Sequence, residues 1–456
     1  MKFKLTTLAW LLGMIWSSVA ISQPDTHPVL QGYIQQALDS NLVLRQKHIA
    51  LHKSMLALQE ARSYFLPSIN FSGSYTLAAG GRDIYIPVGD LLNPVYATLN
   101  QLTGTTKFPT VSNVEEQLLP NNFYDAKVRT TYPLFNPDIR YNRDIKQQQI
   151  QLSEGEIAIY KRELIKDVKT AYYTYLLATR GIEIYESTRA VVERSLRTNQ
   201  SLLVNGKGLP AYVSRSEADL QQVEAQIENA RNEAAKARAY FNFLLNRPLQ
   251  DSIVTTEPAL PALAVLQGYS DSLLANREEL KQLQTAESIN RTAIAMNEAY
   301  WKPRVNLFAD LGMQAFEWKV NDQSPYYMAG VQLEFPIFQG KRNQYRIEQS
   351  KKDLEQIKTQ QNLVNQQLGL QAFTAKNNVL TAFANYKAAQ KQVQASTSYF
   401  KLIDRGRTEG TNSFIEWLDA RNQYTTVQLQ EQLTKYRTLI AWADYERQTA
   451  AITINN

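Results

Sequence analysis

The sequence predicts an α+β membrane protein that has four membrane-length β-strands and several very long helices per chain. Three features of the 456 residues indicate this class: segments in which polar and apolar residues alternate, long helical stretches without proline, and an internal duplication. With 44% hydrophobic residues, the chain is not of the disordered type. Beyond the N-terminus, no segment approaches the roughly 18 apolar residues that a spanning helix needs.

The N-terminus predicts an exported protein. Residues 1–22 combine a basic start, an apolar stretch and small residues suited to cleavage after Ala20 or Ser22, which is the pattern of a secretory signal peptide rather than of a buried first helix. The chain contains no cysteine, so neither a disulfide framework nor a thiolate metal site is expected. The net charge of +6 is spread along the chain, which does not indicate a nucleic-acid partner.

Three pairs of similar segments predict that the chain is a tandem duplication. "RSYFLPSINFSGSY" is similar to "EAYWKPRVNLFADL", "FYDAKVRTTYPLFN" to "YYMAGVQLEFPIFQ", and "GLPAYVSRSEA" to "GTNSFIEWLDA". The first repeat then covers residues 23–250, with a helix, strands at about 66–79 and 122–135, and long helices at about 138–204 and 211–246. The second repeat covers residues 251–456, with a helix, strands at about 303–316 and 325–338, and long helices at about 340–405 and 413–450.

The four predicted strands alternate between polar and apolar residues, so each has two unlike faces. In the second strand, for example, Asp125, Lys127 and Arg129 alternate with apolar neighbours, whereas Phe308 interrupts the pattern of the third strand. The strand lengths suit a membrane barrel, and the alternative is a soluble antiparallel sheet with one wet face. Prolines at the changes between helix and strand disfavour that alternative. These are Pro67, Pro133, Pro303 and Pro336.

The long helices are predicted to pack side by side. Between Asp138 and Val204 there is no proline, and an unbroken helix of that length would reach about 100 Å. Its apolar residues form a narrow stripe, and the returning helix is rich in alanine, so both can pack like coiled coils with two wet faces. The loop at residues 78–122 is much longer than its counterpart at about 316–325, and the sequence assigns it no role.

Taken together, these features resemble the TolC-type outer-membrane efflux proteins. The resemblance covers essentially the whole mature chain and includes the segments that join the long helices, "Gly208-Leu209" and the run from Gly410 to Asp419. It implies a homotrimeric 12-stranded transmembrane β-barrel, with four strands per chain, that continues into a long periplasmic α-helical barrel. The strand count agrees, because four strands cannot close and an eight-stranded barrel would be filled by side chains.

The resemblance also implies a function and a set of partners. The chain would be the outer-membrane channel of a tripartite efflux or type I secretion system and would conduct substrates passively. Its partners would be two further copies of itself, outer-membrane lipid, a periplasmic adaptor (membrane fusion) protein and an inner-membrane transporter. The alternative is a periplasmic helical scaffold or adaptor-like binding protein without a pore, which would leave the four membrane-length strands unexplained.

Two groups of candidate site residues follow from the resemblance. Glu416 and Asp419, three residues apart on one helix face, would form an acidic ring at the periplasmic gate in a trimer, and the ordinary alternative is that they complement the helix dipole. The adaptor would dock where pairs of long helices are joined, and plain helix capping also explains these segments. The docking residues are Gly208, Leu209, Pro210, Gly410, Thr411 and Asn412.

No enzyme, cofactor or metal site is expected. His48 and His52 have the i, i+4 spacing of metal ligands, but the segment lacks the glutamate of a zincin motif. The glycines of "NGKG", residues 205–208, do not have the spacing of a phosphate-binding loop. With three histidines and no cysteine, no nucleophile and base can be proposed.

Overall fold

The computed structural model describes residues 28–263, 266 and 277–451. The predicted signal peptide, residues 1–22, lies outside the described residues. The chain forms two compact units. Among the described residues, the first unit contains residues 28–51, 152–263, 266, 277–284 and 359–451, and the second unit contains residues 52–151 and 285–358.

Eight α-helices account for most of the described residues, and two of them are exceptionally long. Helix α4 has 68 residues and α7 has 67. No helix in the described part of the chain is both long enough and apolar enough to cross a membrane. The helices are α1 (Pro28–Ser40), α2 (Leu42–Ser63), α3 (Val88–Thr103), α4 (Pro137–Val204), α5 (Pro210–Leu244), α6 (Glu278–Glu298), α7 (Arg342–Thr408) and α8 (Phe414–Gln448).

A break at Asn41 divides the helical run that precedes the first strand. The side-chain oxygen of Asn41 accepts hydrogen bonds from the backbone N–H groups of Val43 and Leu44, at 3.0 and 3.1 Å, and so caps α2. Its amide nitrogen donates to the carbonyl of Leu244 at 3.0 Å, which ties the break to the end of α5. Capping by asparagine therefore starts a second helix where periodicity alone suggested one.

In the described part of the chain, six strands form two antiparallel sheets within the second unit. The larger sheet has the order β1-β4-β5-β6, so that its central pair, β4 and β5, comes from different halves of the chain. The mixture of long helices and a four-stranded sheet confirms the predicted α+β class. The strands are β1 (Ser68–Thr76), β2 (Asp83–Ile86), β3 (Val114–Gln117), β4 (Phe123–Phe135), β5 (Arg304–Phe316) and β6 (Pro325–Glu334).

Two strands of the larger sheet are shorter than the sequence pattern suggests. Strand β1 ends at Thr76 because its partner there, Phe123, is the first residue of β4. Strand β6 ends at Glu334, before Pro336, which cannot donate a ladder hydrogen bond. Gly340 and Lys341 then take left-handed conformations, with φ of 59° and 61°, before α7 begins.

The insertion between β1 and β4, residues 77–122, is folded. Strands β2 and β3 pair from Asp83 with Gln117 to Ile86 with Val114, and α3 lies between them in the chain. The insertion is therefore a small module of its own, to which the sequence assigned no role.

The main hydrophobic core lies in the first unit. It joins the start of the described chain to the middle of α4 and to α5 and α8. Tyr33 packs edge-on against Phe241 with 5.1 Å between ring centroids. The fully buried members of this core include Leu44, Leu164, Val168, Tyr172, Phe241, Leu245 and Tyr436.

Candidate functional site

The first helix turn, residues 205–209, joins α4 to α5. Gly206 has a φ of 71°, and its N–H donates to the carbonyl of Leu203 at 2.9 Å. A Cβ added at Gly208 would lie 2.7 Å from the backbone nitrogen of Leu203, so the chain passes too closely for a side chain. Leu209 is extended and 55% exposed, and Pro210 opens α5 without needing a hydrogen bond for its nitrogen.

The second helix turn, residues 409–413, joins α7 to α8. Gly410 has a φ of 80°, which favours glycine, and open space surrounds the position of its missing Cβ. The carbonyl of Gly406 accepts hydrogen bonds from the N–H groups of Thr411 and Asn412, at 2.8 and 3.2 Å, and from the hydroxyl of Thr411 at 3.0 Å. These bonds hold the turn against the end of α7.

Glu416 caps its own helix. The backbone N–H of Ser413 donates to the Glu416 carboxylate at 2.7 Å, and the Ser413 hydroxyl accepts from the Glu416 N–H at 3.2 Å, which is a capping box. The bond from the Ser413 N–H, with those from the Asn412 and Ser413 side chains, holds the pKa of Glu416 below its usual range. Asp419 is exposed on the next turn. Both carboxylates therefore lie at the surface of a single chain.

The two helix turns lie close together. Phe414, the first residue of α8, packs against Tyr212 in the first turn of α5 with 5.1 Å between ring centroids. Phe414, Trp417 and Leu418 form a small buried cluster with α4 and α7 side chains around them. The six predicted docking residues consequently occupy neighbouring turns of the first unit.

Arg407 links α4 to α8 beside these turns, and no feature of the sequence indicates this. Its guanidinium donates to the Ser195 hydroxyl at 2.9 Å and to the Asn199 side-chain oxygen at 3.0 Å. It also lies over the Trp417 ring, 4.3 Å from the centroid. Burial lowers the pKa of Arg407. One basic residue near the C-terminus of a helix is common, so only the tertiary contacts distinguish it.

A buried ion pair lies farther along the same helices. Arg421 of α8 donates to the carboxylate of Asp219 in α5, and the side chains are only 4% and 10% exposed. Ala218 and Ala420 match in the similar segments of the two halves, so Asp219 and Arg421 occupy the same repeat position with opposite charges. Opposite charges at matching repeat positions are a signal in the sequence from which this ion pair could have been predicted.

The register of the larger sheet collects polar residues on one face. Asn70 of β1 lies opposite Arg129 of β4, and Arg129 lies opposite Asp310 of β5. The Arg129 guanidinium binds both carboxylate oxygens of Asp310, at 2.7 and 2.6 Å. The same face also carries Ser68, Ser72, Ser74, Asp125, Lys127, Thr131, Asn306, Gln314 and Gln332.

The opposite face of the sheet is apolar and exposed in the single chain. Phe71, Val128, Leu311 and Tyr327 share this face in the observed register. An exposed apolar surface of this kind marks a contact with lipid or with another protein. The exposed members are Ile69, Phe71, Tyr75, Val128, Tyr132, Phe135, Leu307, Leu311, Tyr327, Val331 and Leu333.

Phe308 interrupts the alternation of its strand, and the structure explains why. It is one of several apolar residues on the polar face, together with Met328, Phe123 and Phe316. Phe308 lies on the polar face opposite Gly330 of β6. A Cβ added at Gly330 would lie 2.8 Å from the Phe308 ring, so the glycine provides the space for that ring. The Arg129 guanidinium carbon lies 5.5 Å from the ring centroid, so the ring also contacts a cation.

The described residues contain no group of three or more metal-ligating side chains arranged to hold an ion. His48 and His52 are both exposed.

The chain is similar in sequence to known proteins. The chain is 24% identical over 342 residues to the alkaline protease secretion protein AprF of Pseudomonas aeruginosa, in an alignment that covers 70% of this chain and 69% of AprF. It is 22% identical over 295 residues to the cation efflux system protein CusC of Escherichia coli, covering 62% of this chain and 63% of CusC.

Solved structures show the same fold. The crystal structure of the CmeC outer membrane channel of Campylobacter jejuni superposes with a TM-score of 0.72 at 14% identity, covering 92% of this chain and 85% of CmeC. The outer membrane efflux protein family matches residues 33–247 and 269–447, which is well over half of the chain. The chain therefore belongs to the outer membrane efflux protein family, and it is an outer-membrane channel that extends into the periplasm.

Proposed function

We propose that three copies of this chain close one twelve-stranded barrel, with the polar face of each sheet towards water and the apolar face towards lipid. The separation of the two faces in the observed register is the observation that carries this proposal. Within the described chain, β1 and β6 each pair with one strand of the larger sheet and leave an edge free for a neighbouring copy. Twelve strands leave room for water inside, whereas eight would not.

Aromatic residues near the β5–β6 turn support a membrane position for the sheet. The Trp318 ring stacks on Tyr75 and Tyr124, with centroid distances of 4.7 and 5.5 Å. Transmembrane barrels carry such aromatic girdles at the membrane surfaces.

The proposed role is passive conduction rather than catalysis. An inner-membrane transporter would supply the energy, and a periplasmic adaptor protein would connect it to this chain. AprF is named for protease secretion and CusC for cation efflux, so relatives of one fold serve different cargoes. We expect a heat-modifiable trimer in outer-membrane fractions. Recovery of a soluble periplasmic monomer would contradict the proposal.

The adaptor is proposed to dock on the two helix turns. The exposed Leu209 is the best residue to test, because replacement of Gly208 would distort the turn itself and Gly410 needs a left-handed conformation. Leu209→Arg should abolish export while the trimer stays in the membrane. Leu402→Arg, at an exposed leucine within α7, is the matched control and should export normally. Normal export by Leu209→Arg would contradict docking at this turn.

The gate is proposed to use Glu416 and Asp419. In a trimer these residues would bring six carboxylates around one axis, and such rings attract cations. The capping box favours the ionised form of Glu416, whereas carboxylates brought close in the ring raise one another's pKa, so the cation preference should depend on pH. Planar-bilayer recordings of Glu416→Gln with Asp419→Asn test this, since glutamine can still complete the capping box. Unchanged cation preference in the double variant would place the gate elsewhere.

A further inference from the structure

Helix α3 in the insertion presents an uncharged face without a partner in the described chain. The helix, Val88–Thr103, contains one charged residue, Asp90, near its start. Tyr85 of β2 donates to the Asp90 carboxylate at 3.1 Å, and the Asn113 side chain accepts from the Asp90 N–H at 3.0 Å. The only charge of α3 is thus held at its N-terminal end.

Two asparagines fix which way α3 faces. The Asn93 side chain makes two hydrogen bonds to the backbone of Val111, at 2.9 and 2.7 Å. Seven residues later on the same helix face, Asn100 makes two bonds to the backbone of Phe108, at 2.7 and 3.1 Å. Tyr96 packs against Phe108 between them, 5.7 Å between ring centroids. This face of α3 is therefore occupied by residues 108–111 of its own insertion.

The opposite face of α3 is an exposed apolar seam. Leu91, Val95 and Leu102 are 68%, 52% and 78% exposed, and Thr98 lies between the last two. The spacing of these four residues alternates between four and three, which is the heptad pattern of a helix that packs against another helix. The seam, defined as Leu91, Val95, Thr98 and Leu102, therefore fits a helical partner.

We propose that the α3 helices of three copies pack together along this seam and form a helical cap over the outer mouth of the barrel. The proposal rests on the trimer proposed above. Each copy would bring one seam to the same end of the barrel, because the insertion joins β1 to β4 at the end that lies away from α4. The insertion also starts directly after β1, the edge strand that the trimer would pair with a neighbour.

The chemistry of the seam favours contact with other copies of this chain over contact with lipid. Three identical seams without charge do not repel one another, whereas a charged face would. Lipid would accept an apolar face of any spacing and does not require the alternation of four and three residues. A cap of this kind would narrow the exit, and cargo would have to separate the helices to leave.

Disulfide cross-linking tests the cap without background, because the chain contains no cysteine. Leu91→Cys and Leu102→Cys place one thiol per chain in the seam. Ala97→Cys, an exposed position on the other side of α3, is the matched control. After oxidation of whole outer membranes with copper phenanthroline, both seam variants should yield disulfide-linked dimers, at least fivefold more than the control. Unheated samples of the same membranes report the trimer.

The outcomes separate the cap from the proposed function. Trimer without seam dimers overturns the cap and leaves the barrel proposal intact, whereas absence of trimer overturns both. Cysteines that stay unlinked are then tested with a membrane-impermeant maleimide. Cysteines that the maleimide labels only after detergent is added would lie in lipid. Cysteines that are labelled at once would lie on a free surface. Either result overturns the cap.

Discussion

Removal of Asp219 should strongly destabilise the packed helices of the first unit. The Arg421 guanidinium is 4% exposed, and its Nε has no partner among the described residues, so Asp219 is the carboxylate that compensates its charge. Breaking a buried ion pair by removing one partner costs about 3–5 kcal/mol, because the remaining charge stays desolvated. We therefore expect Asp219→Ala to lower the free energy of unfolding by about 3–5 kcal/mol.

Urea unfolding of the purified protein in detergent, followed by circular dichroism, measures this loss. Glu233→Ala is the control, since Glu233 pairs with Lys236 at an exposed site and its loss should cost less than about 1 kcal/mol. Replacement of both buried partners, Asp219→Leu with Arg421→Met, should recover most of the stability, because no uncompensated charge remains. A loss below about 1 kcal/mol for Asp219→Ala would mean that the charge of Arg421 does not depend on Asp219 for compensation.

Three further predictions concern the sheet and the gate. Leu311→Arg should reduce the amount of heat-resistant trimer in membrane fractions, because a cation on the lipid-facing side of a barrel costs about 2–4 kcal/mol at mid-membrane. An undiminished amount of trimer would indicate that Leu311 does not face lipid. Gly330→Val should lower the folded yield by crowding the Phe308 ring, and adding Phe308→Ala should restore it if that contact is the cause. The capping box holds the pKa of Glu416 below its usual range, whereas neighbouring carboxylates in a ring raise one another's pKa. The Asp419→Asn channel, with fewer carboxylates in the ring, should therefore keep its cation preference to a lower pH than the wild type, and an identical pH dependence would mean that the two residues do not share a ring.

The alternation of polar and apolar residues predicted the two faces of the sheet, but it did not predict which residues of neighbouring strands pair. Asp125, Lys127 and Arg129 were placed on one face from the sequence alone, because the side-chain period of a strand is two. The sequence could not show that Arg129 would bind Asp310, since that contact depends on the register between β4 and β5. Phe308 looked irregular for the same reason, because its space comes from Gly330 on another strand.

The sequence did not predict the structure of the insertion, because contacts between residues distant in the chain stabilise it. Strands β2 and β3 have four residues each and lie on either side of α3, so neither gives a strong periodic signal. The Asn93 and Asn100 side chains, which fix α3, look like ordinary loop residues in the sequence. At the helix turns, the glycines and Ser413 with Glu416 were recognisable as caps, but the contacts of Arg407 were not.

In the proposed trimer, the polar face of the sheet lines a water-filled channel and the apolar face meets lipid. Ser72→Cys and Phe71→Cys distinguish the two faces, because the two residues are adjacent in β1, both exposed in the single chain, and on opposite faces. In planar-bilayer recordings, a water-soluble methanethiosulfonate reagent should change the current through the Ser72→Cys channel and leave the Phe71→Cys channel unaffected. A response from Phe71→Cys without one from Ser72→Cys would show that the channel does not run along the polar face.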